Sequence, residues 1–139
     1  MTPRNLQDRV LQRIARKRGD VFLRADFEDL GGYDQVGRVL LNLVRAGRLL
    51  KIGQGLYTRA TRSPFSGKLV PAKGLAALTE ALDRLGIETA PTRLQQDYDA
   101  GRTTQVPTGR TVAVKARVRR RIGYGGITLS FERAGSSPR

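Results

Sequence analysis

Asp34-Gln35-Val36-Gly37-Arg38-Val39-Leu40-Leu41-Asn42-Leu43-Val44-Arg45-Ala46-Gly47-Arg48-Leu49-Leu50-Lys51-Ile52-Gly53-Gln54-Gly55-Leu56-Tyr57-Thr58-Arg59 changes its period halfway along. Over its first part, Val36, Val39, Leu40, Leu43 and Val44 follow the i, i+3, i+4, i+7, i+8 spacing of a helix with one face on a core. The opposite face carries Gln35, Arg38, Asn42 and Arg45. Asp34 is the expected cap and Gly47 the expected stop. From Leu49 to Ile52 the chain alternates apolar residues with a charge, turns at Gly53-Gln54-Gly55 and returns through Leu56 to Arg59. Two strands around glycines predict a β-hairpin.

The residues before this stretch fit the same plan. Asn5 can cap a helix whose stripe is Leu6, Val10, Leu11 and Ile14, ended by Gly19. Val21-Phe22-Leu23 reads as a strand stub, and Arg24 to Leu30 as a short helix closed by Gly31-Gly32. The order helix, strand, short helix, longer helix, hairpin is that of a winged helix-turn-helix, whose third helix enters the DNA major groove. On that helix Gln35 and Asn42 suit adenine and Arg38 suits guanine, so these three are the predicted base readers. Arg45 with Lys51, Gln54 and Arg59 on or beside the wing, and Arg13 and Lys17 on the first helix, are the predicted phosphate contacts. The bland alternative is a solvated helix face on a protein-interaction module, because fold alone does not fix function.

Composition narrows the chemistry. The chain has 139 residues, 26 Lys+Arg against 12 Asp+Glu, a formal charge of +14, and no His, Cys or Trp. Without His or Cys, a Ser-His-Asp triad, a thiol nucleophile, a conventional zinc site and a disulfide scaffold are all excluded. The positive excess points to a polyanion. Only five of the basic residues are Lys. Arg binds phosphate in a bidentate fork, although an Arg bias also follows from a GC-rich genome. Residues 1–62 and 63–139 each hold 13 basic and 6 acidic residues, so both halves carry the charge. No apolar run approaches the roughly 20 residues that span a bilayer, and no apolar segment follows Met1-Thr2-Pro3-Arg4. The expected location is the cytoplasm, without membrane contact.

The stretch from Arg18 to Ala60 resembles the N-terminal domain of AbiEi-type antitoxins of bacterial type IV toxin–antitoxin systems. Arg18-Gly19-Asp20-Val21-Phe22, Asp26-Phe27, Val39-Leu40 with Leu43, Ala46-Gly47-Arg48-Leu49 and Ile52-Gly53-Gln54-Gly55-Leu56-Tyr57 carry the likeness. Thr104-Gln105-Val106-Pro107, Thr111-Val112-Ala113-Val114 and Ile127 to Arg133 look like the family's C-terminal part. The resemblance implies a transcriptional repressor that binds inverted repeats in double-stranded DNA and autoregulates its operon. It also implies a C-terminal domain that opposes a nucleotidyltransferase-like toxin without a stable complex. This C-terminal region is shorter than that of the larger family members.

The predicted organisation is an α+β chain: a winged helix-turn-helix over 1–62, a connector over 63–72, a small α+β domain over 73–134 ending in a β-hairpin, and a frayed tail over 135–139. In the second half, Leu75, Leu78, Leu82 and Leu85 predict an amphipathic helix ended by Gly86, and Pro91 to Tyr98 a short helix closed by Gly101. Thr111 to Val118 alternates like a strand, and its continuation holds Lys115, Arg117, Arg119, Arg120 and Arg121. That basic run reads either as a phosphate-tracking stripe or as an edge strand protected by charge. Tyr124 can stack on a base or pack on its own hairpin. Asp97 with Asp99, and Asp26 with Glu28 and Asp29, are the acidic groups able to hold Mg²⁺ in a nuclease. Asp97 and Asp99 have no third carboxylate close in sequence, and Asp26, Glu28 and Asp29 sit where winged helices carry solvated or capping acids, so no catalytic residue, metal or cofactor is expected. The first reading is therefore an antitoxin-type DNA-binding repressor, acting as a homodimer or as cooperating monomers. An RNA-binding or ribosome-associated protein is the second, and a metal-dependent nuclease the third.

Overall fold

Asn5 starts the first element: its Oδ1 accepts the Asp8 backbone N–H at 2.8 Å. This caps α1 (Leu6–Arg16), which turns Val10 and Ile14 to the core and is closed by Lys17 ahead of Gly19. β1 (Val21–Leu23) follows. Where the sequence predicts a short helix through Leu30, Arg24–Phe27 forms a single 3-10 turn. The Asp26 carboxylate holds it by accepting the Leu23 N–H at 2.9 Å. α2 (Tyr33–Arg45) begins one residue before the expected Asp34 cap. Gly32 is the capping residue, and its N–H donates to Gln35 Oε1 at 3.4 Å, so Asp34 lies inside the first turn. The computed structural model describes residues 4–135. Of the predicted frayed tail, residues 136–139 lie outside the described residues.

β2 (Leu49–Gly53) and β3 (Leu56–Arg62) form the expected hairpin, with a two-residue turn at Gln54-Gly55 and an irregularity between Lys51 and Gly53. β3 is central, with β1 and β2 antiparallel on either side. Residues 63–72 are more than a connector: they contain β4 (Leu69–Pro71), which pairs with the outer part of β3 from Ala60 to Arg62.

The second half contributes α3 (Ala76–Arg84), β5 (Thr89–Ala90), α4 (Arg93–Asp99), β6 (Thr111–Val114), β7 (Gly123–Tyr124), β8 (Ile127–Thr128) and β9 (Ser130–Arg133). β5, β6 and β9 make a small sheet in which β6 and β9 run parallel; β7 and β8 form a separate hairpin. The chain thus does have a late hairpin, but its final strand leaves that hairpin to join β6.

Alternation along the first sheet explains how the two halves fit. Phe22, Leu49 and Tyr57 enter one core with Val10, Ile14, Phe27, Val36, Leu40 and Leu43. Val21, Ile52 and Leu56 enter the other, with Ala77, Leu78, Ala81 and Leu82 of α3 and Val112, Val114, Ile122 and Leu129 beyond it. Successive strand side chains point to opposite faces, so this sheet is covered on both. Glu80 on α3 accepts the backbone N–H groups of Asp20 and Val21 at 2.9 and 2.7 Å, and Arg84 pairs with Asp26. The architecture is α+β, with a helical layer on each side of the sheet. Among the described residues, no helix is long and apolar enough to cross a membrane.

Candidate functional site

α2 buries Val36, Leu40 and Leu43 and leaves Asp34, Gln35, Arg38, Asn42 and Arg45 exposed, so the predicted polar face is an open one. Gln35 also has a structural task, since its carbonyl oxygen caps the helix through Gly32. Its amide NH₂ is the part left for a ligand. The face has two members that periodicity does not single out. Tyr33, at the first position, is 71% exposed, and the Arg24 guanidinium lies over its ring at 3.4 Å from the centroid. Arg24 also donates to the Tyr33 carbonyl at 2.6 Å. This seat exists because residue 37 is glycine: a Cβ there would collide with the Arg24 guanidinium. A glycine in the middle of a helix was the available signal, because it costs about 1 kcal/mol against alanine unless packing needs the space.

Of the predicted phosphate contacts, Arg45, Lys51 and Gln54 are exposed. The other three cations are engaged within the fold. Arg59 donates to the Gly19 carbonyl and Asp20 Oδ1, both at 2.7 Å, and to the Ile14 and Lys17 carbonyls at the end of α1. Its guanidinium also lies 5.0 Å from the Phe22 ring centre. Arg13 grips the Asp29 carboxylate with both terminal nitrogens and the Asp26 carbonyl at 2.9 Å. The hydrogen bond between them lowers the Asp29 pKa and raises that of Arg13. Lys17 stands 3.5 Å from Asp26.

The basic run of the second half is not a strand. β6 ends at Val114, where its pairing with β9 ends, and residues 115–122 leave the sheet. Val118 and Ile122 then turn into the core and leave Lys115, Arg117, Arg119, Arg120 and Arg121 exposed around them. Alternation misleads here because Val112, Ala113 and Val114 are all buried, so the segment does not have one wet face. Lys115 pairs with Glu88 at 3.0 Å. Arg120 and Arg121 reach the β2–β3 hairpin: Arg120 Nη1 donates to the Gln54 carbonyl at 2.9 Å. Both arginines line an open groove of about 470 Å³ with Lys51, Gln54 and Tyr124. Gly53 permits this approach, because a Cβ there would lie 3.0 Å from the Arg121 carbonyl oxygen.

Four of the five acidic candidates are engaged as well, and Glu28 is exposed. Asp97 pairs with Arg102 at 2.9 Å, Asp99 accepts from Gln95 at 2.8 Å, and Asp26 and Asp29 hold the cations already named. Among the described residues, no three acidic side chains converge in a way that could hold a metal ion.

The described residues thus present an exposed polar face on α2 and a cationic groove beside the β2–β3 turn. The chain belongs to a family of unknown function, DUF6088, which it matches over residues 9–139. No curated protein and no solved structure matches it.

Proposed function

We propose that this protein is a sequence-specific, double-stranded-DNA-binding transcriptional repressor of antitoxin type, and that α1 to β3 are its winged helix-turn-helix. The observation that carries the reading is the placing of Arg38 and Asn42 on an exposed face of α2, next in the chain to a glycine hairpin that displays Lys51 and Gln54. A helix of this kind presents side chains to base edges while the hairpin takes the neighbouring backbone. Arg38 reads guanine through its fork; Asn42 and the free amide of Gln35 take adenine edges. Arg45 and Lys51 hold phosphates. Arg13, Lys17 and Arg59 act through the fold, where each already faces a carboxylate.

The resemblance to AbiEi-type antitoxins supplies the biological half of the proposal. The protein binds inverted repeats upstream of its own cytoplasmic operon, as a dimer or as cooperating monomers. It opposes a nucleotidyltransferase-like toxin without forming a stable complex with it. A gene for such a toxin next to this one supports the antitoxin role.

The test is a titration of promoter duplex, scrambled duplex and structured RNA. Arg38→Ala is expected to cost about 1–3 kcal/mol on the promoter and to relax preference at one base pair. Unchanged promoter affinity in that variant, or tighter binding of RNA than of promoter by the unaltered protein, overturns the reading.

A further inference from the structure

We infer that the second half of the chain completes the nucleic-acid interface: the groove between the β2–β3 turn and residues 120–125 binds the phosphodiester backbone of duplex DNA. The inference rests on the proposed DNA-binding role and adds a site contributed by residues outside the winged helix-turn-helix.

Three observations carry it. First, the cations gathered here have no counter-charge, whereas six others in the fold do. Arg13, Lys17, Arg59, Arg84, Arg102 and Lys115 each face a carboxylate. Among the described residues no carboxylate pairs with Lys51, Arg120 or Arg121, and none lines the groove. Like charges brought together without counter-charge repel, and a polyanion relieves that repulsion. Second, the groove is assembled with care. Arg120 is tied to a neutral acceptor, the Gln54 carbonyl, so it keeps its charge unspent while its position is fixed. Gly53 and the buried Ile122 bring the segment against the wing. Third, the donors are of the right kind. Two guanidiniums, an ammonium, an amide and the Tyr124 hydroxyl are the groups that meet phosphate oxygens at DNA interfaces. They carry no base code, so the groove contributes affinity and orientation and leaves sequence choice to α2.

The experiment measures affinity for promoter and scrambled duplex across a salt series. Each phosphate contact contributes about 0.9 to the slope of log affinity against log salt concentration. The Arg120→Gln, Arg121→Gln double variant is expected to lower that slope by about two and to bind both duplexes on the order of tenfold more weakly. The ratio between promoter and scrambled duplex stays unchanged. Arg120→Lys with Arg121→Lys restores most of the slope, because a point charge still attracts phosphate. Arg120 also steadies the wing, so Arg121→Gln and Lys51→Gln are measured alone; each is expected to lower the slope by about one. An unchanged slope in these two single variants overturns the groove, whatever Arg38→Ala does. A lowered slope together with an Arg38→Ala variant that discriminates normally upholds the groove and overturns the specific-repressor reading. A slope loss seen with structured RNA and absent with duplex overturns the assignment to DNA.

Discussion

Arg59 illustrates how far residue type alone can be read. Its position on the returning strand of the hairpin suggests a phosphate contact, and its charge agrees. Its four hydrogen bonds go instead to the end of α1 and to the buried Asp20. The carbonyls at and beyond a helix end and a buried carboxylate call for several donors at once, and a planar guanidinium supplies them. A lysine keeps the charge and cannot span the four acceptors. Arg59→Lys is therefore expected to destabilise the fold by about 1–3 kcal/mol, seen as a lower denaturation midpoint at unchanged slope. DNA affinity of the folded variant stays as it was. Loss of affinity without loss of stability would return Arg59 to the interface. Nothing in the sequence separates Arg59 from Arg38, because what distinguishes them is the acceptor set brought in from residues 14–20, far away in the chain.

Elements were legible where local spacing alone sets them. The Asn5 cap, the apolar stripe of α2 and the glycine turn of the β2–β3 hairpin are all local, and the structure has each of them. The extent of β6 was not legible, because the partner that ends its pairing, β9, lies some way along the chain and runs parallel to it. Residue 53 is also a matter of element packing. It follows the irregularity in β2, and there the hairpin touches both Leu56 and the segment bearing Arg121. A Cβ at that position would stand 3.0 Å from Leu56 Cδ1 and from the Arg121 carbonyl, so either the turn or the segment has to give way. Gly53→Ala is thus expected to cost about 1–3 kcal/mol of stability through overpacking. If the proposed groove binds duplex, the substitution should also weaken binding to promoter and scrambled duplex alike, since it separates the β2–β3 hairpin from Arg120 and Arg121. A variant that melts normally and binds normally would mean that the segment yields freely, and that its approach to the hairpin is not fixed by this contact.

At the scale of the whole molecule, the equal charge of the two halves meets a shared core. The sheet of the first half buries Val21, Ile52 and Leu56 against α3 and the residues behind it, while Glu80 satisfies two backbone N–H groups at the start of β1. Removing the second half would bare those three side chains and leave the two N–H groups to water. Full burial of each such side chain contributes about 1.5–3 kcal/mol, and the net stability of a domain is only about 5–15 kcal/mol. The first sixty-two residues are therefore not expected to stand alone as a stable DNA-binding module. A chain cut after Arg62 should show a broad, weak thermal transition or none, while the full chain unfolds in a single cooperative step by circular dichroism and by fluorescence of its tyrosines. Promoter binding should fall in the truncated chain by more than the loss of the Arg120 and Arg121 contacts accounts for, because the fraction of folded protein falls as well. Sharp, independent melting of the fragment would show that the shared core is dispensable, and the second half would then be an attachment to a self-sufficient first half.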